Sequence, residues 1–145
     1  MATFNSAQYQ NGQTPTPTDM CVAPQRAYYT FAATTTLAVG DVILLAKIAP
    51  TFGVHSAVID TDGQASLAAD AGIMNAANTA VSAKTHNTVS LGTAGIVVSN
   101  ATAGVRAAIT DDPRGFGLVI TTGATVPAGF TIGVNLGLRP RQPVE

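Results

Sequence analysis

Few residues in this sequence can carry chemistry: two histidines, His55 and His86, one cysteine, Cys21, and eight acidic against seven basic side chains in 145 residues. A hydrolytic triad needs a nucleophile and a base that touch. His55 stands beside Ser56 in an expected strand, where neighbours point to opposite faces, so the two cannot pair directly. His86 follows Thr85 in an expected loop. Neither histidine has a ligand companion at strand spacing, and both read as satisfied or solvated side chains. Asp60-Thr61-Asp62-Gly63 opens like a calcium loop but lacks the third acidic position and the later bidentate glutamate, which leaves a turn. Asp111 and Asp112 precede Pro113 in a second turn, with solvent as their partner. Gly115-Phe116-Gly117 leads into a strand and has no third glycine, so no dinucleotide site is expected. The sequence implies no catalytic residue, metal or cofactor, and hence a protein that is not an enzyme.

The elements around these residues are β-rich. The region Leu37 to Asp62 reads as a strand over Val42 to Ile48, a turn at Pro50 to Gly53, and a second strand, together a hairpin-like unit. Val42 to Ile48 is nearly continuous in apolar residues, so both of its faces are expected to be covered. Tyr28 to Phe31, Thr88 to Val98, Gly104 to Ile109 and Phe116 to Thr122 add further strands. Ala65 to Ala83 is alanine-rich, yet Gly72 and Ile73 between Asp70 and Asn75 favour a short strand followed by a small helix or loop. The clearest pattern comes last. Phe130, Ile132, Val134, Leu136 and Leu138 alternate with Thr131, Gly133, Asn135 and Gly137, which puts five large apolar side chains on one face. The two glycines opposite imply close approach by another group.

Strands separated by turns about every ten residues, without alternating helices, predict an all-β antiparallel sandwich with a jelly roll as the leading topology. Residues 1–26 differ in kind: the Thr-Pro alternation and the absence of amphipathic period predict an extended N-terminal arm, with the sandwich domain over 27–145. One domain of this length buries ~68% of the surface its unfolded chain exposes, so it needs no staple, and Cys21 cannot form an internal bridge.

Charged residues make up only 10% of the chain, the formal net charge is −1, and mean hydropathy is above zero. A surface so poor in charge suits contact with other chains better than life as a free monomer. The basic residues form no run and do not interleave with aromatics, which argues against nucleic-acid binding. No apolar stretch approaches the ~20 residues of a membrane span and the first residues carry no secretory pattern, so a soluble chain made in the cytoplasm, without membrane contact, is expected.

Four stretches, LAVGDVILLAKIAP, VIDTDG, ADAGIM and GLVITTGATVPAGFTIGVNLGLRP, resemble the head decoration or cement proteins of tailed bacteriophages. The likeness covers roughly Tyr28 to Pro140 and rests on Leu37 with Gly40-Asp41-Val42-Ile43, on Asp60 with Asp62, on Asp70 with Gly72-Ile73, and on Ile132-Gly133-Val134. Gly63 stands where a further acidic residue is common in that family. The resemblance implies a jelly-roll-like protein on the outer surface of the virion head. It would form a homodimer or homotrimer and clamp subunits of the major capsid protein. Phe4 and Tyr9 in the arm, Tyr28 and Tyr29 at the start of the body, and Gly133 and Gly137 in the last strand are then the candidate subunit or capsid contacts. The alternative is a carbohydrate- or receptor-binding sandwich of a phage fibre or adhesin, a module that would want exposed aromatics, whereas this chain has no Trp and three Tyr.

Overall fold

The computed structural model describes residues 1–10 and 23–140. Its strands are β1 (Thr3–Asn5), β2 (Ala23–Thr30), β3 (Thr35–Leu37), β4 (Val42–Ile48), β5 (Phe52–Thr61), β6 (Ala68–Met74), β7 (Val81–Ser90), β8 (Gly95–Val98), β9 (Arg114–Thr122), β10 (Ala124–Val126) and β11 (Thr131–Pro140), with single helical turns α1 (Ala7–Gln10) and α2 (Ala103–Arg106). One sheet runs β1-β4-β9-β6-β7, a second β2-β11-β5-β8, and β10 pairs with β3 in a small ribbon. Apart from the parallel β1–β4 pair, the ladders are antiparallel.

Taken in chain order, the eight strands β2, β4, β5, β6, β7, β8, β9 and β11 interleave. The first, eighth, third and sixth make one sheet, and the second, seventh, fourth and fifth make the other. That is the order of two Greek keys folded into a jelly roll. Between the sheets lies one continuous core that includes Phe31, Ile43, Leu45, Ile59, Phe116, Leu118 and Ile120. The alternation of the last strand holds: Phe130, Ile132, Val134, Leu136 and Leu138 are each at most 3% exposed.

The continuous apolar run of β4 also has the expected cause. Ile43 and Leu45 belong to the main core, while Val42 and Leu44 join Met74 in a second cluster backed by Tyr9, Val81 and Val119. Both faces of β4 are therefore covered, the outer one by α1 of the same chain.

Several elements differ from the sequence reading. The stretch Leu37 to Asp62 is not a hairpin, because β4 pairs with β1 and β9 whereas β5 pairs with β11 and β8. Pro50 and Thr51, the latter at φ 70°, carry the chain from one sheet to the other. Each strand thereby has hydrogen-bonded neighbours on both edges, in different sheets. Gly104 to Ile109 contains the helical turn α2 in place of a strand. Gly104 sits against the backbone of β7, where an added Cβ would lie 3.1 Å from the Ala83 carbonyl oxygen. The stretch Ala65 to Ala83, by contrast, keeps the expected short strand and following loop: β6 occupies the middle of the sheet between β9 and β7, and ladder bonds on both edges override the helix propensity of the alanines. His86 lies in β7, not in a loop.

The N-terminal residues are woven into the body. Thr3, Phe4 and Asn5 of β1 register with Val42, Ile43 and Leu44 of β4. Phe4 packs on Tyr29 and Phe31, with ring centres 5.8 and 5.2 Å away. The boundary expected at residue 27 falls inside β2. The Thr-Pro repeat and Cys21 lie outside the described residues.

Candidate interaction surfaces

The outer face of the β2-β11-β5-β8 sheet is built from two rows of aligned residues. One row runs Tyr28, Gly133, Asp60, Ile96; the next runs Arg26, Asn135, Val58, Val98. Alternation along each strand turns these side chains away from the core. Ile96 is 73% exposed, Val98 70% and Tyr28 47%.

Gly133 decides how the charges on this face are arranged. With no side chain there, Arg26 crosses the bare backbone of β11 to reach Asp60, Nη2 lying 3.0 Å from each carboxylate oxygen. A Cβ on Gly133 would collide with the Arg26 guanidinium and lie 2.8 Å from the Ala27 carbonyl oxygen. The close approach expected over this glycine is therefore made by an arginine of the same chain. Arg26 also stands over the Tyr28 ring, 5.2 Å from its centre, in cation–π contact. Arginine and aspartate neutralise each other, which leaves these two rows aliphatic, aromatic and amide in character.

The opposite sheet has its outer surface partly covered. Ser6 places α1: its backbone N–H donates to the Leu44 carbonyl and its hydroxyl to that of Leu45, while its Oγ accepts from the Tyr9 N–H at 3.0 Å. Tyr9 then lies on the second cluster, its hydroxyl accepting from Asn78 Nδ2 at 2.9 Å and its ring 5.1 Å from Lys47 Nζ. Beside it opens a cleft of about 640 Å³ lined by residues that include Tyr9, Lys47, Met74, Asn75, Asp112 and Arg114. Most of its polar side chains already serve the fold. Asn75 accepts from the Thr79 N–H and donates to the Thr79 hydroxyl, and Arg114 donates to the carbonyls of Ala108 and Phe52.

Asp41, in the Gly-Asp-Val stretch, anchors the N-terminal segment. Its two carboxylate oxygens accept from the backbone N–H groups of Ala2 and Ala38 at 2.7 and 2.9 Å. Burial raises its pKa, but these two N–H donors outweigh burial and hold it below the usual carboxylate range. Asp70 sits 2.9 Å from Lys84 Nζ and accepts from Thr88. Burial again raises its pKa and is outweighed, here by Lys84 and Thr88. Lys84 Nζ also donates to Asn87 at 2.9 Å.

His86 is fully buried. Its Nδ1 lies 2.9 Å from Thr85 Oγ1, and its Nε2 lies 3.1 Å from the carbonyl of Val97 on β8. Burial lowers its pKa more than the Val97 hydrogen bond raises it. The neutral ring then donates from Nε2 and accepts the Thr85 hydroxyl proton at Nδ1, tying the edge strand of one sheet to that of the other. His55 is exposed. Among the described residues no group of three or more His, Cys, Asp or Glu is arranged to hold a metal ion, and no helix is long and apolar enough to cross a membrane.

The six candidate contact residues thus separate. Phe4 and Tyr29 are partly buried against the main core, and Tyr9 against the second cluster. Tyr28 and Gly133 lie in one row of the outer face, and Gly137 pairs with Pro24 and Ser56 on the same strand. Sequence reasoning missed Arg26, Ile96 and Val98. The run Ile96-Val97-Val98 shows no polar alternation, so its exposed positions carried no signal of their own.

No protein-family model and no curated protein matches the sequence. Comparison with solved structures finds a chain in the capsid of Ralstonia phage GP4. It superposes with a TM-score of 0.80 over 97% of this chain and 99% of that one, at 24% identity. The likeness shows a shared fold. It runs end to end, so the two chains are of nearly the same length.

Proposed function

We propose that this chain is a head decoration (cement) protein of a tailed bacteriophage, bound to the outer surface of the head, where it stabilises contacts between major capsid subunits and associates with copies of itself. The end-to-end likeness to a phage capsid chain of the same size carries this reading. The sequence motifs around Asp41, Asp60 and Ile132 agree with it. So does the surface chemistry: a chain only 10% charged, with an outer sheet face on which Arg26 and Asp60 neutralise each other, is suited to lie against protein. On this reading the protein is structural. The side chains that line its cleft hold the fold together and perform no reaction.

The test is to purify particles of the phage that encodes the chain and to measure its ratio to the major capsid protein by mass spectrometry. Heads lacking it are then compared for survival under heat and chelator. The proposal expects a fixed, high copy number and earlier loss of the depleted heads. Absence from purified heads, together with retention on immobilised glycans, would replace it with the carbohydrate- or receptor-binding reading.

A further inference from the structure

We infer that the outer face of the β2-β11-β5-β8 sheet is a two-fold contact with a second copy of this chain, Tyr28 of each copy lying against Ile96 and Val98 of the other. The proposal takes from the preceding reading only that the chain self-associates. It concerns the free protein and stands or falls without the capsid.

Two properties of the face select this occupant. The first is self-complementarity. Tyr28 and Arg26 lie on the β2 edge, and Ile96 and Val98 on the β8 edge, of the same two rows. A two-fold axis parallel to the strands, lying between the stacked sheets over the gap between β11 and β5, overlays β2 of one copy on β8 of the other. Each exposed ring then meets an exposed aliphatic pair, as an isologous contact requires. The centre of the face carries Gly133, filled to backbone height only by the Arg26 side chain, so the two sheets can approach to roughly 10 Å. The second property is charge. Arg26 is paired with Asp60 within each copy, so stacking these two rows on those of a second copy brings no uncompensated like charges together there. The face contains no lysine and no other charged side chain in these two rows.

Size sets the expected strength. Three strands about 4.8 Å apart, paired over eight residues at about 3.3 Å each, with the four-residue β8 beside them, give roughly 450 Å² per copy and roughly 900 Å² in total. That is just under the ~1,000 Å² of a stable specific contact, so the dimer is weak and depends on concentration.

Sedimentation equilibrium of the full chain tests it, with Tyr28→Arg, Ile96→Asp and, as a control at an exposed apolar site elsewhere, Val39→Asp. The wild type and Val39→Asp are expected to approach twice the monomer mass as concentration rises. Tyr28→Arg and Ile96→Asp are each expected to associate at least about thirty-fold more weakly, since each change strikes the symmetric contact twice. Mixing those two variants should restore dimer, because one of the two contacts becomes an Arg–Asp pair and the other stays native. A wild type monomeric up to about millimolar concentration, dimers of undiminished strength in both face variants, or a mixture that fails to recover would each overturn the assignment.

Discussion

Arg26 and Asp60 are joined across a strand that belongs to neither of them. The guanidinium lies over the backbone of β11 at Gly133 and meets the carboxylate at 3.0 Å. Gly133→Ala therefore displaces the arginine and presses on the Ala27 carbonyl, which the ladder holds in place. A loss of about 1 to 3 kcal/mol is expected in denaturant titrations. Asp60→Asn, which only weakens a half-exposed ion pair, is expected to lose less than about 1 kcal/mol. Equal losses for the two would mean that the glycine's space is not what matters.

Leu136 tests the core. It is 1% exposed on the central strand β11, which is hydrogen-bonded to β2 on one edge and β5 on the other. Leu136→Ala should lower stability by about 2 to 5 kcal/mol, through lost transfer energy and a residual cavity. An unchanged melting temperature would contradict the register of this strand.

The N-terminal segment behaves as part of the body. Removing residues 2–10 strips β1 from the edge of β4, takes Phe4 out of the ring cluster with Tyr29 and Phe31, and uncovers Val42 and Leu44. Phe4→Ala alone is expected to lose about 2 kcal/mol, since the ring is only partly buried, and the deletion more. A deletion variant that unfolds at the wild-type denaturant midpoint would show that the segment is not held by these contacts.

Acid should weaken the fold in two steps with the same sign. His86 is neutral in the folded protein because burial lowers its pKa, whereas in the unfolded chain it takes up a proton near ~6.5. Below that value the unfolded state binds more protons, so stability falls as pH drops from about 6.5 toward the lower folded value. Asp41 adds a second loss further down. Its folded pKa is depressed, so its contribution is present above the usual carboxylate value of ~3.9 and disappears as pH falls through the folded one. Stability measured against pH for wild type and His86→Gln checks the first step. The variant, less stable at pH 7, should show a flatter slope just below pH ~6.5, and an identical slope would exclude His86 as the cause.

The parts of this structure that could be read from sequence are those fixed by local pattern. Period-two alternation located the inner face of β11, and the unbroken apolar run of β4 revealed that it is covered twice. Gly133 signalled a close approach, although not that an arginine from β2 makes it. What escaped depends on partners distant in the chain. Nothing local distinguishes a hairpin from the crossing of β4 and β5 into different sheets. Three residues of parallel strand at Thr3–Asn5 are too short for any periodicity. His86 looked like a loop residue because its satisfaction comes from the carbonyl of Val97 on another strand. Ile96 and Val98 look like core in sequence and lie outside it because they face outward from β8, on either side of the inward Val97.

The central claim is that this jelly roll sits on the outside of a phage head, and a cryo-EM map of that head tests it most directly. The account predicts density for the β2-β11-β5-β8 and β4-β9-β6-β7 sheets on the outer surface, touching at least two neighbouring major capsid subunits. A head whose outer surface carries no such density, or a map that places the chain on a tail fibre, would contradict it.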